Sequence, residues 1–131
     1  MRKLNIAIAG VGFGEKVHIP AIKESDLFDL KFLYHYKNKE IENIEQRTGV
    51  KCLSDWNSII TNDDIDGIII ATPPHIRYEL AKDALEHGKN LLLEKPVAIK
   101  SEEIENLQRI AISKNLSVCV DFEYRAVPLF M

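Results

Sequence analysis

The chain has 131 residues, of which 46% are hydrophobic and 28% charged, a composition typical of one globular domain large enough to bury its own core. No apolar run approaches the roughly 20 residues that span a bilayer. The net charge of −3 comes without a basic stripe, so we expect neither a membrane nor a nucleic acid as a partner.

The amino terminus and the two cysteines indicate a cytoplasmic protein. Residues 1–5 lead directly into an apolar strand, without a secretory leader. Cys52 and Cys119 are far apart, form no Cys-x-x-Cys pair, and each lies in a short apolar stretch. We therefore expect two buried, reduced thiols, with no disulfide and no metal site.

The first predicted strand, residues 5–9, is apolar throughout most of its length and ends at Gly10, Gly12, Phe13 and Gly14. A strand covered on both faces is continuously apolar. A turn that closely approaches an anionic ligand needs residues without a Cβ atom. Apolar spacing after Gly14 predicts a helix whose first N–H groups would face a phosphate. Taken alone, the pattern fits an ordinary turn between a strand and a helix equally well.

Strand-like and helix-like segments alternate through the rest of the chain. In order they are a strand at 29–36, a helix from Asn38 to Gly49, a strand at 50–53, one or two helical turns at 54–60, a strand at 66–71, a helix at 78–87, a strand at 90–94, a helix capped by Ser101 and closed by Asn115, and a strand at 116–121. We expect Trp56 to face the core.

Six short strands alternating with helices predict an α/β fold. The expected architecture is a doubly wound parallel sheet of the Rossmann type, with strand order 3-2-1-4-5-6 and helices on both faces. The predicted domain covers residues 1–121, and residues 122–131 follow it. In such a sheet the ligand crevice lies at the carboxyl ends of strands one and four.

Three stretches fall at that edge of the predicted sheet, and together they resemble a known family. They are the glycine turn with His18-Ile19-Pro20 downstream, the loop Ala71-Thr72-Pro73-Pro74, and residues 88–96, which end in Glu94-Lys95-Pro96. In order and spacing they resemble the Gfo/Idh/MocA oxidoreductases over nearly the whole chain. The glycine turn, Ala71, Thr72, Pro73, Pro74, Glu94 and Lys95 are therefore expected to line a nicotinamide cofactor.

The resemblance implies a catalytic role for Lys95. Family members use this lysine near the nicotinamide in substrate binding and proton handling, and an ammonium group can hydrogen-bond a substrate oxygen while hydride moves. The resemblance also implies that Glu94 orients the loop and that the Lys95-Pro96 bond is cis, as it often is in the family. Two alternatives stay open: Lys95 is a solvated strand end, and Glu94 is a simple capping carboxylate.

Cofactor choice depends on the end of the second strand, where NAD-binding domains place an acidic residue on the ribose hydroxyls. His35 occupies that position, and Tyr36 and Lys37 follow it. A 2′-phosphate would meet a donor and a cation there, so we predict NADP rather than NAD. The alternative is that Lys37 and Lys39 are solvated and His35 is a packed strand end.

Two departures from the family pattern affect this prediction. Glu15 stands where the third fingerprint glycine would fall, so we expect the helix to lie farther from the strand, with Lys16 offsetting the carboxylate near the pyrophosphate. Arg77 stands where many members have a histidine, with His75 close by. Arg77 would either contact the cofactor or extend from its helix, and His18 is expected to be a structural hydrogen-bonding residue.

In the family, a second α/β domain follows the sixth strand, supplies a catalytic histidine and most substrate contacts, and usually forms the dimer interface. Residues 122–131 resemble the start of that crossing. We therefore expect the NADP-binding domain of an enzyme that transfers hydride to or from a sugar, polyol or related small molecule, incomplete without its second domain. A homo-oligomer is a further expectation.

Two other hypotheses are weighed against the oxidoreductase. One is a stand-alone NAD(P)-binding regulatory module that docks a partner through the apolar tail at 127–131. The other, a methyltransferase, is disfavoured because it gives no reason for the sequence Glu94-Lys95-Pro96.

Overall fold

The computed structural model describes residues 1–122, which form a six-stranded sheet in the order β3-β2-β1-β4-β5-β6 with all neighbouring strands parallel. The strands are β1 (Leu4–Ala9), β2 (Phe28–Tyr34), β3 (Cys52–Leu53), β4 (Gly67–Ile70), β5 (Asn90–Leu93) and β6 (Val118–Val120). The predicted α/β fold and strand order are confirmed.

Helical segments connect successive strands. A π-helical turn (Gly14–His18) leads into α1 (Ile19–Lys23), and a 3₁₀ turn (Asn38–Glu40) leads into α2 (Ile41–Thr48). The remaining helices are α3 (Trp56–Ile60), α4 (Pro74–Glu86) and α5 (Ser101–Ser113). None of the helices in the described part of the chain is long and apolar enough to cross a membrane.

Element boundaries differ from the prediction by a few residues. β2 ends at Tyr34, because its neighbours β1 and β3 end at Ala9 and Leu53, the residues that pair with Tyr34. Ser101 is the first residue of α5 and not its cap. The backbone N–H of Lys100 instead donates to the Glu103 carboxylate at 3.3 Å, which satisfies a donor at the helix start.

Two apolar layers cover the sheet. One packs α3, α4 and α5 against one face, with Trp56, Leu85 and Leu107 among its buried residues, so the prediction that Trp56 faces the core is confirmed. The other packs α1 and α2 against the opposite face, over Ile8 and Leu33. Burial of both faces explains why the central strands are continuously apolar.

The second face carries an open trough of about 730 Å³ that runs towards β6. Its apolar floor includes Ile69 and Leu92, and Cys119 lies on β6 beside them. Cys52 is buried as expected, but the expectation for Cys119 is wrong, because its side chain is exposed on this open part of the sheet. The predicted crossing at 122–131 lies, beyond Phe122, outside the described residues.

Candidate functional site

The loops after β1, β4 and β5 meet at the carboxyl edge of the sheet. The Ala71 N–H donates to the Ala9 carbonyl at 2.8 Å, and the Glu94 N–H donates to the Ile70 carbonyl at 3.0 Å. These bonds continue the strand ladder past the last paired residues. The three stretches that were predicted to share this edge therefore lie side by side.

A cleft of about 430 Å³ opens between the loops after β1 and β4 and the end of β2, and we call it the carboxyl-edge cleft. Its walls are mainly apolar and come from the loops after β1, β2 and β4 and from the first turn of α4. The lining residues are Gly10, Val11, Gly12, Tyr34, His35, Tyr36, Ala71, Thr72, Pro73 and Ile76. The geometry thus brings the first two fingerprint glycines, the Ala71-Thr72-Pro73 loop and the His35-Tyr36 pair around one space.

Gly10 and Gly12 lack side chains for different reasons. Gly10 has φ +103°, and a Cβ there would lie 2.7 Å from both the carbonyl carbon and the oxygen of Ala71. It is therefore required for the loops to approach each other. Around Gly12, a Cβ would meet nothing within 4 Å. Because Gly12 lines the cleft, its open side is room that a ligand can use.

Gly14 makes the close packing that the fingerprint assigns to its third glycine. A Cβ on Gly14 would lie 2.9 Å from Ile8 Cγ2, so the π-helical turn rests directly on β1. The expectation that Glu15 keeps the helix away from the strand is therefore wrong. Gly14 takes the packing position, one residue before the expected one.

Glu15 forms an ion pair with α2. Its carboxylate accepts from Arg47 Nε at 2.6 Å and from Arg47 Nη2 at 2.9 Å. The Arg47 guanidinium holds the pKa of Glu15 below its usual range, and Lys16 is a smaller contribution. The main charge that compensates Glu15 is therefore Arg47. The expectation from the sequence, that Lys16 has this role, is wrong.

The residues after β2 form a stacked group beside the cleft. The His35 and Tyr36 rings stack with centroids 5.0 Å apart, and Lys37 Nζ lies 5.4 Å from the Tyr36 ring centroid. The Lys37 backbone N–H donates to His35 Nδ1 at 3.2 Å. Tyr36 is 60% exposed, so its ring is available to a planar ligand.

Arg77 neither faces the cleft nor extends from its helix. It is buried, with 3% exposure, and its guanidinium donates to the carbonyls of Thr72, Glu94 and Pro96, the Glu94 bond being 2.5 Å long. Both alternatives drawn from the sequence are therefore wrong. Arg77 ties the loop after β4 to the loop after β5, and burial lowers the pKa of its guanidinium.

Glu94 and His18 are also buried. His18 Nε2 lies 3.0 Å from Glu94 Oε1, so the expectation that His18 is a structural hydrogen-bonding residue is confirmed. Lys95 follows on the exposed side of the loop, and the Lys95-Pro96 bond is cis, as the resemblance implied. The backbone around Lys95 is thus held by Arg77 and the side chain of Glu94.

One buried polar atom indicates that the cleft fits a ligand. Thr72 Oγ1 has no hydrogen-bond partner within residues 1–122, although buried hydroxyls normally have one. Thr72 and Gly12 both line the cleft. A phosphate or ribose group beside Gly12 would supply the missing partner, so these residues fit a dinucleotide.

The comparisons with known proteins establish the class to which this chain belongs. Residues 4–122 match the family model described as the Gfo/Idh/MocA oxidoreductase family with an NAD-binding Rossmann fold. The chain therefore belongs to this family of nucleotide-binding oxidoreductases.

Particular relatives extend the comparison. Oxidoreductase sll0816 of Synechocystis, described as uncharacterized, is 32% identical over 95% of this chain and 34% of its own length. Levoglucosan dehydrogenase of Pseudarthrobacter phenanthrenivorans is 34% identical over 98% of this chain and 35% of its own length. The chain spans about a third of the length of these two relatives.

Solved structures show the same fold. The 3-ketoreductase KijD10 of Actinomadura kijaniata, in complex with NADP and TDP-benzene, superposes with a TM-score of 0.88 at 20% identity, over 97% of this chain and 39% of that one. Biliverdin reductase of Synechocystis, with biliverdin and NADP⁺, gives 0.82 at 23% identity, over 89% of this chain and 37% of that one.

Proposed function

We propose that this chain is the NADP-binding part of an oxidoreductase that acts on a sugar, polyol or related small molecule. The observation that carries the proposal is the open side of Gly12 in the carboxyl-edge cleft, which Thr72, with its unpartnered hydroxyl, also lines. A dinucleotide would place its pyrophosphate there, against backbone N–H groups at the start of the π-helical turn.

The preference for NADP follows from charge at the end of β2. His35, Tyr36 and Lys37 carry no carboxylate to hold ribose hydroxyls, and Lys37 supplies a cation. One charge pair at about 4 Å is worth roughly 1 to 4 kcal/mol, depending on its exposure. Since about 1.4 kcal/mol changes affinity tenfold, Lys37 alone can set the preference.

Lys95 is the proposed catalytic residue. A bound nicotinamide supplies hydride transfer to or from the substrate carbon. Lys95 Nζ would hold the substrate oxygen, donating a proton when a carbonyl is reduced and accepting one when an alcohol is oxidised. Arg77 and Glu94 keep the backbone of Lys95 in place while that proton moves.

The whole enzyme would need more chain than residues 1–131. The compared relatives are about three times as long, and one is named for levoglucosan, a sugar-related substrate. We propose that a second domain completes the substrate site and offers a surface for a homo-oligomer, and that the enzyme is cytoplasmic. By itself, this chain would bind the cofactor but would turn over the substrate poorly.

Calorimetric titration of this chain with NADPH, NADH and S-adenosylmethionine tests the proposal. We expect NADPH to bind more tightly than NADH, and S-adenosylmethionine not to bind. Lys37→Ala should weaken the binding of NADPH about tenfold and leave the affinity for NADH unchanged. This is the effect expected for the loss of one charge pair worth about 1.4 kcal/mol.

Lys39→Ala is the matched control, because Lys39 is a second exposed lysine and lies two residues further on, in the 3₁₀ turn that follows Lys37. It should leave both affinities unchanged. If neither NADPH nor NADH binds, the oxidoreductase assignment is refuted. Equal losses of NADPH affinity in Lys37→Ala and Lys39→Ala would refute the specific role of Lys37.

A further inference from the structure

Three buried or half-buried side chains from three elements meet beside the Glu94-Lys95-Pro96 loop. They are His18 from the π-helical turn, Glu94 after β5, and Asp121 after β6. A ring nitrogen of His18 and one carboxyl oxygen from each acid all lie within 4.8 Å of one another. His18 Nε2 is 3.0 Å from Glu94 Oε1 and 3.7 Å from Asp121 Oδ2. We call this group the His-Glu-Asp cluster.

A carboxyl oxygen of Glu94 and one of Asp121 lie within 4.8 Å of each other, and both groups approach His18 Nε2. Two carboxylates this close in a buried site repel each other strongly, which favours a proton on one of the two. Burial raises the pKa of Glu94, the nearby Asp121 carboxyl raises that pKa further, and His18 acts in the opposite direction. Arg77, from α4, also lies close to Glu94, and its guanidinium donates to the Glu94 carbonyl.

The cluster holds the backbone next to Lys95 from several sides. The Glu94 side chain is held by His18, which also lies 3.7 Å from Asp121, and the Glu94 carbonyl is held by Arg77. The Asp121 N–H also donates to the Leu93 carbonyl at 2.9 Å, which joins the ends of β5 and β6. Loss of the shared proton would place two negative charges in contact where burial weakens solvent screening.

We propose that His18, Glu94 and Asp121 act as positioning residues that share one proton between the two carboxyl groups and fix the backbone from which Lys95 projects. The proposal rests on the proposed function only in naming Lys95 as the catalytic group. The shared proton and its effect on the loop do not depend on that assignment, so they can be tested without cofactor or substrate.

The first test is the pH dependence of unfolding, measured by urea denaturation of this chain between about pH 4 and pH 8. A raised pKa in the folded state means that the folded chain binds more protons than the unfolded chain, so this contribution to stability is lost as pH rises. We expect the contribution to lower the folding equilibrium constant by up to tenfold for each pH unit above the ordinary carboxyl range.

Glu94→Gln should remove this decline, because an amide can donate to Asp121 and accept from His18 as the protonated acid does. Glu86→Gln, at an exposed carboxylate on α4, is the matched control and should keep the wild-type decline. If Glu94→Gln does not fold, Asp121→Asn should have the same effect, since its amide can donate to the Glu94 carboxylate.

The second test measures positioning directly. The backbone amide resonance of Lys95 should move with pH in the wild-type chain and stay fixed in Glu94→Gln. The same pH dependence of stability in the wild-type chain and in Glu94→Gln, or a Lys95 resonance that ignores pH, would each overturn the proposal. Failure of NADPH to bind would refute the proposed function and leave these results unaffected.

Discussion

Gly10 and Gly12 lie two residues apart, and substituting each with alanine should separate folding from binding. Gly10→Ala forces a Cβ at φ +103° against the Ala71 backbone at 2.7 Å, so we expect it to lower the free energy of unfolding by about 2 kcal/mol or more. Gly12→Ala meets no atom within 4 Å and should change stability by less than about 0.5 kcal/mol.

Binding should show the opposite sensitivity. Gly12→Ala should weaken the binding of NADPH by at least about tenfold, because the methyl group of the alanine would occupy the space proposed for the pyrophosphate. Urea denaturation and calorimetric titration of both variants measure the two effects. A Gly12→Ala variant with wild-type affinity would show that the cofactor does not approach this glycine.

Residue identity could be predicted where one requirement decides it. The glycine turn and the core position of Trp56 follow from conformational freedom and apolar spacing, and both were found from the sequence. Arg77 could not be placed, because an arginine at a helix start is usually solvated. Only the three loop carbonyls that converge on its guanidinium, each from a different position in the chain, make its burial favourable.

At the scale of elements, Arg77 joins the loops that follow β4 and β5. Arg77→Met nearly keeps the volume and removes the three side-chain hydrogen bonds, leaving buried carbonyls unsatisfied. We expect a loss of about 3 kcal/mol in the free energy of unfolding, measured by urea denaturation.

Arg109→Met is a suitable comparison, because Arg109 is exposed on α5 and bonds only weakly to Asn106 at 3.3 Å. It should change stability by less than about 0.5 kcal/mol. Similar losses in the two variants would mean that the buried bonds of Arg77 contribute little.

The order of the elements was predictable, whereas their ends were not. Continuous apolar runs identified the central strands, and right-handed crossovers together with a switch point beside β1 predicted the sheet order. The end of β2 depends on where β1 and β3 stop, which its own residues do not encode. Exposure of Cys119 depends on which part of the sheet is left open, and no local pattern reveals that.

For the whole molecule, cofactor binding and folding are linked. If NADPH binds only the folded chain, NADPH at 100 times its dissociation constant should raise the free energy of unfolding by about 2.7 kcal/mol. NADH at the same concentration should raise it less, and the Gly12→Ala variant should respond little to either. If NADPH does not change the free energy of unfolding, the proposal that residues 1–131 bind the cofactor by themselves is contradicted.

The position of Gly14 has a consequence for recognising such domains in other genomes. A search template that fixes the third glycine by counting from the first would discard this turn, because it finds Glu15 at that place. What the fold requires is a residue without a side chain opposite Ile8, and the π-helical turn moves that residue forward by one. Templates that allow either spacing would retain domains that fixed spacing overlooks.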